Sequence, residues 1–182
     1  MTLTTERLIL RPFTTDDVDA VQTWAGNPEN VRYMSWGPNT LKQTRGFLDS
    51  VIKRAGNEPR HEWDFAVVLR DTGAVIGSVG IYVDGSGAMG QIGWILHLDH
   101  HKKGYGTELA AELIRFGFEE LKLHRIYAPC VAVNYGSYRV MERNGMRREA
   151  TFVKAFLARV DKEWVDTAVY AILAEEWFAA HP

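Results

Sequence analysis

A chain of 182 residues, 46% hydrophobic and 24% charged, can build one sizeable core but is too short for two ordinary domains. Its formal net charge of -2 gives no general pull toward nucleic acid or anionic membrane, and its single cysteine, Cys130, excludes an intramolecular disulfide. No leader-like stretch precedes Thr5 and no apolar run reaches the roughly 18 residues of a membrane span, so residues 1–182 read as one cytoplasmic domain.

The pattern predicts a strand over Leu3 to Pro12, closed by the proline. Thr14 and the acidic pair Asp16-Asp17 then open a helix with Val18, Val21 and Trp24 on one side. Asn27-Pro28-Glu29-Asn30 breaks it, and Val31 to Thr40 is a loop. A second helix follows over Leu41 to Ala55, with Phe47, Leu48, Val51 and Ile52 inward. Trp63 to Leu69, Ala74 to Val83 and Met89 to Leu96 form an antiparallel meander punctuated by Asp71-Thr72-Gly73 and Asp84-Gly85-Ser86-Gly87. Counted with the first, Met89 to Leu96 is the fourth strand. A helix over Thr107 to Leu121 and a strand over Arg125 to Val133 complete a β-α-β unit, with Leu113, Ile114, Gly117 and Leu121 against the sheet. Tyr135 to Arg143 reads as a short helix stopped by Asn144-Gly145. Two last strands, Glu149 to Ala158 and Trp164 to Leu173, precede a tail over Glu175 to Ala179. The class is α/β (α+β): a mixed, mostly antiparallel sheet flanked by about four helices.

The run His100-His101-Lys102-Lys103-Gly104-Tyr105-Gly106-Thr107 joins the fourth strand to its helix. A glycine-containing turn there leaves main-chain N–H groups unpaired at a helix N-terminus, where an anion can sit. Gly104 and Gly106 let the backbone approach a phosphate, and Lys102 and Lys103 add charge. An ordinary turn with solvated lysines uses the same letters. No Walker loop is present, and Leu109 stands where a dinucleotide fingerprint needs its third glycine. His97, His100 and His101 lack the carboxylate or thiolate company of a metal site, so no metal is expected.

His101 to Gly106 resembles the acyl-CoA motif of the GCN5-related N-acetyltransferases (GNAT superfamily), Gln/Arg-x-x-Gly-x-Gly/Ala, with histidine at its first position and Lys102 where many members have glycine. Asn134-Tyr135-Gly136-Ser137 and Met141-Glu142-Arg143-Asn144-Gly145-Met146 resemble a second segment of that superfamily. Thr5-Glu6-Arg7-Leu8-Ile9-Leu10-Arg11 is similar to the start of its ribosomal-protein N-terminal acetyltransferase (RimJ/RimL-type) branch. The resemblance runs from Thr5 to Trp177.

It implies acetyl-CoA as co-substrate and an amine-bearing acceptor, either a protein N-terminus or a small molecule; a non-catalytic acyl-CoA-binding module is the alternative from another class. Homodimers occur among relatives. The resemblance places the diphosphate on the amides of residues 101 to 106, with the Thr107 hydroxyl as a further donor. It places the pantetheine arm and thioester at a kink carrying Trp94, Ile95 and Leu96. Asn134 would hold the arm, and Ser137 would donate to the departing sulfur; as a plain reading Ser137 is a helix N-cap. Gln91 stands where relatives of this branch often carry a glutamate base, and an amide cannot accept a proton at neutral pH. His61, Glu62 and Asp64 are reserve candidates. The acceptor pocket is expected at the loop Tyr33 to Pro38, with Trp36 as a wall and Tyr82 opposite.

Overall fold

The computed structural model describes residues Met1 to Pro182. The N-terminal segment expected as one strand is a hairpin: β1 (Leu3–Thr4) turns back on β2 (Leu8–Arg11), with Leu3 opposite Leu10. Thr5 ties this turn: its N–H donates to the Leu8 carbonyl at 2.9 Å, and its hydroxyl oxygen accepts the Leu8 N–H at 3.0 Å. A single helical turn at Thr15–Asp17 leads into α1 (Val18–Ala25). Arg11 donates to both oxygens of the buried Asp17, at 2.8 and 2.6 Å, fixing the strand-to-helix corner.

Asn27-Pro28, expected only as a break, also starts a one-turn helix, α2 (Pro28–Val31): the Asn27 side chain accepts from the Glu29 N–H and proline occupies the first helical position. Helix α3 (Leu41–Arg54) opens on a capping box of Thr40 and Gln43. It buries Thr44, Leu48 and Val51; Ile52, expected inward, falls off this stripe and is exposed.

The meander is β3 (Glu62–Leu69), β4 (Val75–Val83) and β5 (Met89–Leu96). Then come α4 (Tyr105–Glu119), β6 (Arg125–Val131), α5 (Tyr135–Arg143), β7 (Arg147–Ala158), β8 (Glu163–Leu173) and α6 (Ala174–Ala180). Leu121 lies beyond α4 but still packs on the core. All eight strands form one sheet in the order β1-β2-β3-β4-β5-β6-β8-β7, antiparallel except for β5 beside β6. Six helices replace the expected four because α2 and the C-terminal tail are also helical.

Helix α4 packs on one face through Leu109, Leu113 and Phe116, over Phe65, Ile81 and Ile126. A Cβ on Gly117 would come within 2.6 Å of the Ile126 side chain, which explains a glycine inside this helix. Helices α1 and α3 cover the other face, joining Trp24, Leu48 and Val51 to Ala66, Val68 and Ile95. The two layers lie on opposite sides of β5, and the site opens along that strand.

Candidate active site

Strand β5 pairs with β4 along its whole length, from Gly77/Leu96 to Val83/Gly90, without a register shift. Its pairing with β6 stops at Gln91/Tyr127, whereas β6 stays paired with β8 as far as Val131/Thr167. The opening therefore comes from β6 diverging, and the expected kink in β5 is absent as a bulge. Pro129 lies two residues past the last β5–β6 pair, where a missing N–H costs no ladder bond.

Alternation along the ladder decides which main-chain groups face the gap. The His97 N–H donates to Ile76 at 2.8 Å, so Ile95 and Gly93, of the same parity, turn their groups to β4. Trp94 and Leu96 turn theirs toward the space β6 has left. Of the three residues expected to offer backbone groups, Ile95 supplies wall instead, and the Leu96 carbonyl already accepts from Asn30 Nδ2 (2.7 Å) and bonds the His101 ring (3.0 Å). Trp94 is left as the principal main-chain partner in the gap.

The turn after β5 is held by its side chains. Asn30, which no sequence signal marked, also accepts from the Leu98 N–H at 3.1 Å. The His97 ring accepts from Asp99 N–H, and His100 is half-buried, its imidazole pKa lowered by burial and then by Lys103. The His101 N–H, expected among the phosphate donors, donates to Leu98 at 3.0 Å. The N–H groups of Lys102, Lys103, Gly104, Tyr105, Gly106 and Thr107 find no acceptor within the chain. Gly104, at φ +85°, is the N-cap of α4, and Lys102 also adopts the left-handed conformation, φ +59°. That conformation favours glycine and costs a lysine about 1 kcal/mol. Six free amides, two lysines and a helix N-terminus fit a diphosphate.

The loop is anchored from the N-terminal hairpin. Arg7 stacks 4.7 Å over the Tyr105 ring, donates to the Lys103 carbonyl (3.0 Å) and pairs with Glu108 through its main-chain N–H (2.8 Å) and Nε (2.7 Å). Thr5 Oγ1 donates to the same carboxylate at 2.5 Å. Burial alone would raise the Glu108 pKa; these donors outweigh it and hold the carboxyl below its ordinary value.

A cavity of about 680 Å³ runs through the gap. Gln91, Trp94, Ile95, Asn134 and Ser137 line it, and so do Tyr33, Trp36 and Tyr82. Asn134 is the N-cap of α5, its side chain accepting from the Ser137 N–H at 3.2 Å. The N-cap reading of Ser137 therefore passes to Asn134, and Ser137, whose hydroxyl bonds nothing in the chain, lines the cavity. Thr107 lines no part of this cavity; its carbonyl accepts from Asn144, which ties α4 to α5. Trp24, Cys130, Phe156 and Thr167 are lining residues the sequence did not point to. Burial pushes the Cys130 thiol up to about 11, which disfavours a thiolate. Of the reserve bases, His61 is exposed, Glu62 is half-buried, and Asp64 is buried and lines the cavity. No helix of the protein is long and apolar enough to cross a membrane.

A parallel pair that parts over a helix N-terminus, with free amides on one side and an aromatic pocket on the other, has room and donors for an acyl-CoA. The family profile "Acetyltransferase (GNAT) domain" matches residues 7–147, and the chain belongs to this family. It is 36% identical to the uncharacterized N-acetyltransferase YnaD of Bacillus subtilis (strain 168), over 97% of this chain and 99% of that one. The crystal structure of a GNAT-family acetyltransferase from Bacillus anthracis superposes with a TM-score of 0.85 at 35% identity, covering 97% and 100% of the two chains. RimL, a ribosomal L7/L12 α-N-protein acetyltransferase in complex with coenzyme A, shares the fold (TM-score 0.83) at 15% identity, covering 95% and 98%. The protein is an N-acetyltransferase with acetyl-CoA as its co-substrate.

Proposed function

We propose that the enzyme moves the acetyl group directly to a primary amine, without a covalent enzyme intermediate, and that the acceptor is a peptide N-terminal α-amine, as in the RimJ/RimL-type branch. The observation that carries direct transfer is the parting of β5 and β6 at Gln91/Tyr127, which lets an acceptor on the α1/α3 face meet a thioester lying along Trp94. Acetyl-CoA supplies an activated acyl carbon. The amides of Lys102 to Thr107 hold its diphosphate, with Lys102 and Lys103 adding charge. The Trp94 main chain stands ready to donate to the thioester carbonyl as charge gathers there, a role worth about 3 kcal/mol where a donor is well placed.

Asn134 orients the pantetheine arm, and the Ser137 hydroxyl donates toward the sulfur as it departs. Met141, fully buried beside it, has no proton to give. Gln91 can order a water but cannot take a proton. An α-amine, with a pKa near 8, is partly neutral at physiological pH and asks less of the enzyme than a lysine side chain near 10.4. The RimL name gives an α-amine as that protein's acceptor, in keeping with this reading. A second reading, a small-molecule amine, is favoured by the aromatic cavity that reaches in as far as Trp24 of α1.

Thiol release with Ser- and Ala-starting peptides beside a panel of small amines separates the two. Ser137→Ala is expected to lower kcat by about 10- to 100-fold with acetyl-CoA affinity unchanged. A wild-type rate in this variant removes the role assigned to Ser137.

A further inference from the structure

Resting on the acetyl-transfer reading, we propose that Asp64 accepts the proton of the incoming amine, and that this amine carries a single positive charge on an uncharged, largely apolar body. Of the 28 residues lining the cavity, Asp64 alone is charged. It is 7% exposed, so its carboxylate is withdrawn from bulk water but opens on the cavity.

The sheet register explains the access. Asp64 in β3 lies opposite Gly80 in β4, which lies opposite Gly93 in β5; directly paired residues project from the same face. Both intervening positions lack a side chain of their own: the Tyr82 phenol folds back into the space over Gly80, and the floor is bare at Gly93, beside the gap. A Cβ on Gly93 would meet nothing within 4 Å.

The neighbours of Asp64 suit the role. Tyr82 folds back over Gly80, where a Cβ would lie 2.6 Å from its hydroxyl, and donates to Asp64 Oδ1 at 2.8 Å. Burial, then the Asp64 charge, holds the phenol pKa well above its ordinary value, so Tyr82 stays a donor. Arg54 donates to Oδ2 at 2.9 Å and pairs with Glu62 at 2.5 Å. Each Asp64 oxygen keeps lone-pair capacity for a further donor. Arg60 also faces this cluster, stacked on Trp63. The side chain of Glu62, 45% exposed, gives the cluster an edge at solvent.

The step balances as follows: the ammonium group loses one proton to Asp64, nitrogen forms a bond to the acetyl carbon, and the carbon–sulfur bond breaks with its electron pair on sulfur. Of the two protons nitrogen loses, one ends on the sulfur of coenzyme A and the other leaves Asp64 for solvent. Arg54 is shared between Asp64 and Glu62, which leaves those three groups one net negative charge to match one cation.

The test uses the full chain, acetyl-CoA, and two acceptors of similar shape, phenylalanine amide and the more basic phenethylamine. In the unaltered enzyme the acidic limb of kcat/KM is expected at the same pH for both. In Asp64→Asn it moves to each amine's own pKa, with kcat/KM at pH 7 lower by about 100-fold or more and the deficit closing above that pKa. Calorimetry is expected to give unchanged acetyl-CoA affinity in Asp64→Asn, and weaker phenethylamine binding in the presence of CoA. A limb that tracks the amine in the unaltered enzyme overturns the proposal, as does an Asp64→Asn deficit equal at every pH; acetyl-CoA binding with neither amine acetylated overturns the acceptor class. If Asp64→Asn does not fold, the two-amine comparison on the unaltered enzyme still decides. Absence of acetyl-CoA binding instead removes the acetyl-transfer reading itself.

Discussion

Arg7 reaches three parts of the phosphate loop at once: the Lys103 carbonyl, the Tyr105 ring and the Glu108 carboxylate. It contacts none of the free amides, so it acts by positioning, and it supports a loop in which the non-glycine Lys102 is held in the left-handed conformation. Arg7→Ala is expected to weaken acetyl-CoA binding by about tenfold while leaving kcat at saturation within about twofold, because the groups around the acetyl carbon are untouched. Calorimetry and steady-state kinetics check this, and an unchanged affinity contradicts it. The Thr5-Glu6-Arg7-Leu8 motif was visible in the sequence, but the use of Arg7 was not, because its partners lie about a hundred residues away.

Among the elements, helices and strands bounded by local signals were legible. Strand β5 and helix α5 fall on the expected residues, Met89–Leu96 and Tyr135–Arg143, because glycine turns and an Asn-Gly stop bracket them. The hairpin of β1 and β2 was hidden, since its turn is set by Thr5 and by pairing to a distant strand. Which groups of β5 face the gap depends on ladder parity, which one strand's letters do not carry; this is why Ile95 and His101 looked like donors and are not. Pro129 was a readable signal that went unused: a proline inside an apolar strand marks a stretch with a free edge. The close packing at Gly117 was foreseen, and it gives a sharp test. Gly117→Val drives a branched side chain into Ile126 and Ile81 and is expected to cost about 1–3 kcal/mol, read as a lower urea midpoint with an unchanged m-value. An unchanged midpoint contradicts the contact.

At the scale of the whole molecule, two carboxylates join separate elements: Asp17 ties β2 to α1 through Arg11, and Glu108 ties the N-terminal hairpin to the distant α4. Burial works against both, yet their donors hold both pKa values below ordinary in the folded state. The unfolded chain therefore takes up protons first on acidification, so the stabilisation is fully present above about pH 5 and is lost as pH falls through about 4 and below. Urea midpoints from pH 6 to pH 3 are expected to fall over that range, less steeply in Glu108→Gln; the same slope in the variant contradicts the assignment. The Glu108 tie also holds the first turn of α4 against the N-terminal hairpin.

The most direct measurement is a crystal structure of the protein grown with acetyl-CoA. The diphosphate is expected within hydrogen-bond distance of main-chain N–H groups between Lys102 and Thr107, with the acetyl carbonyl at the Trp94 main chain and the Ser137 hydroxyl near the sulfur. A diphosphate bound elsewhere, with those amides still facing solvent, contradicts the account.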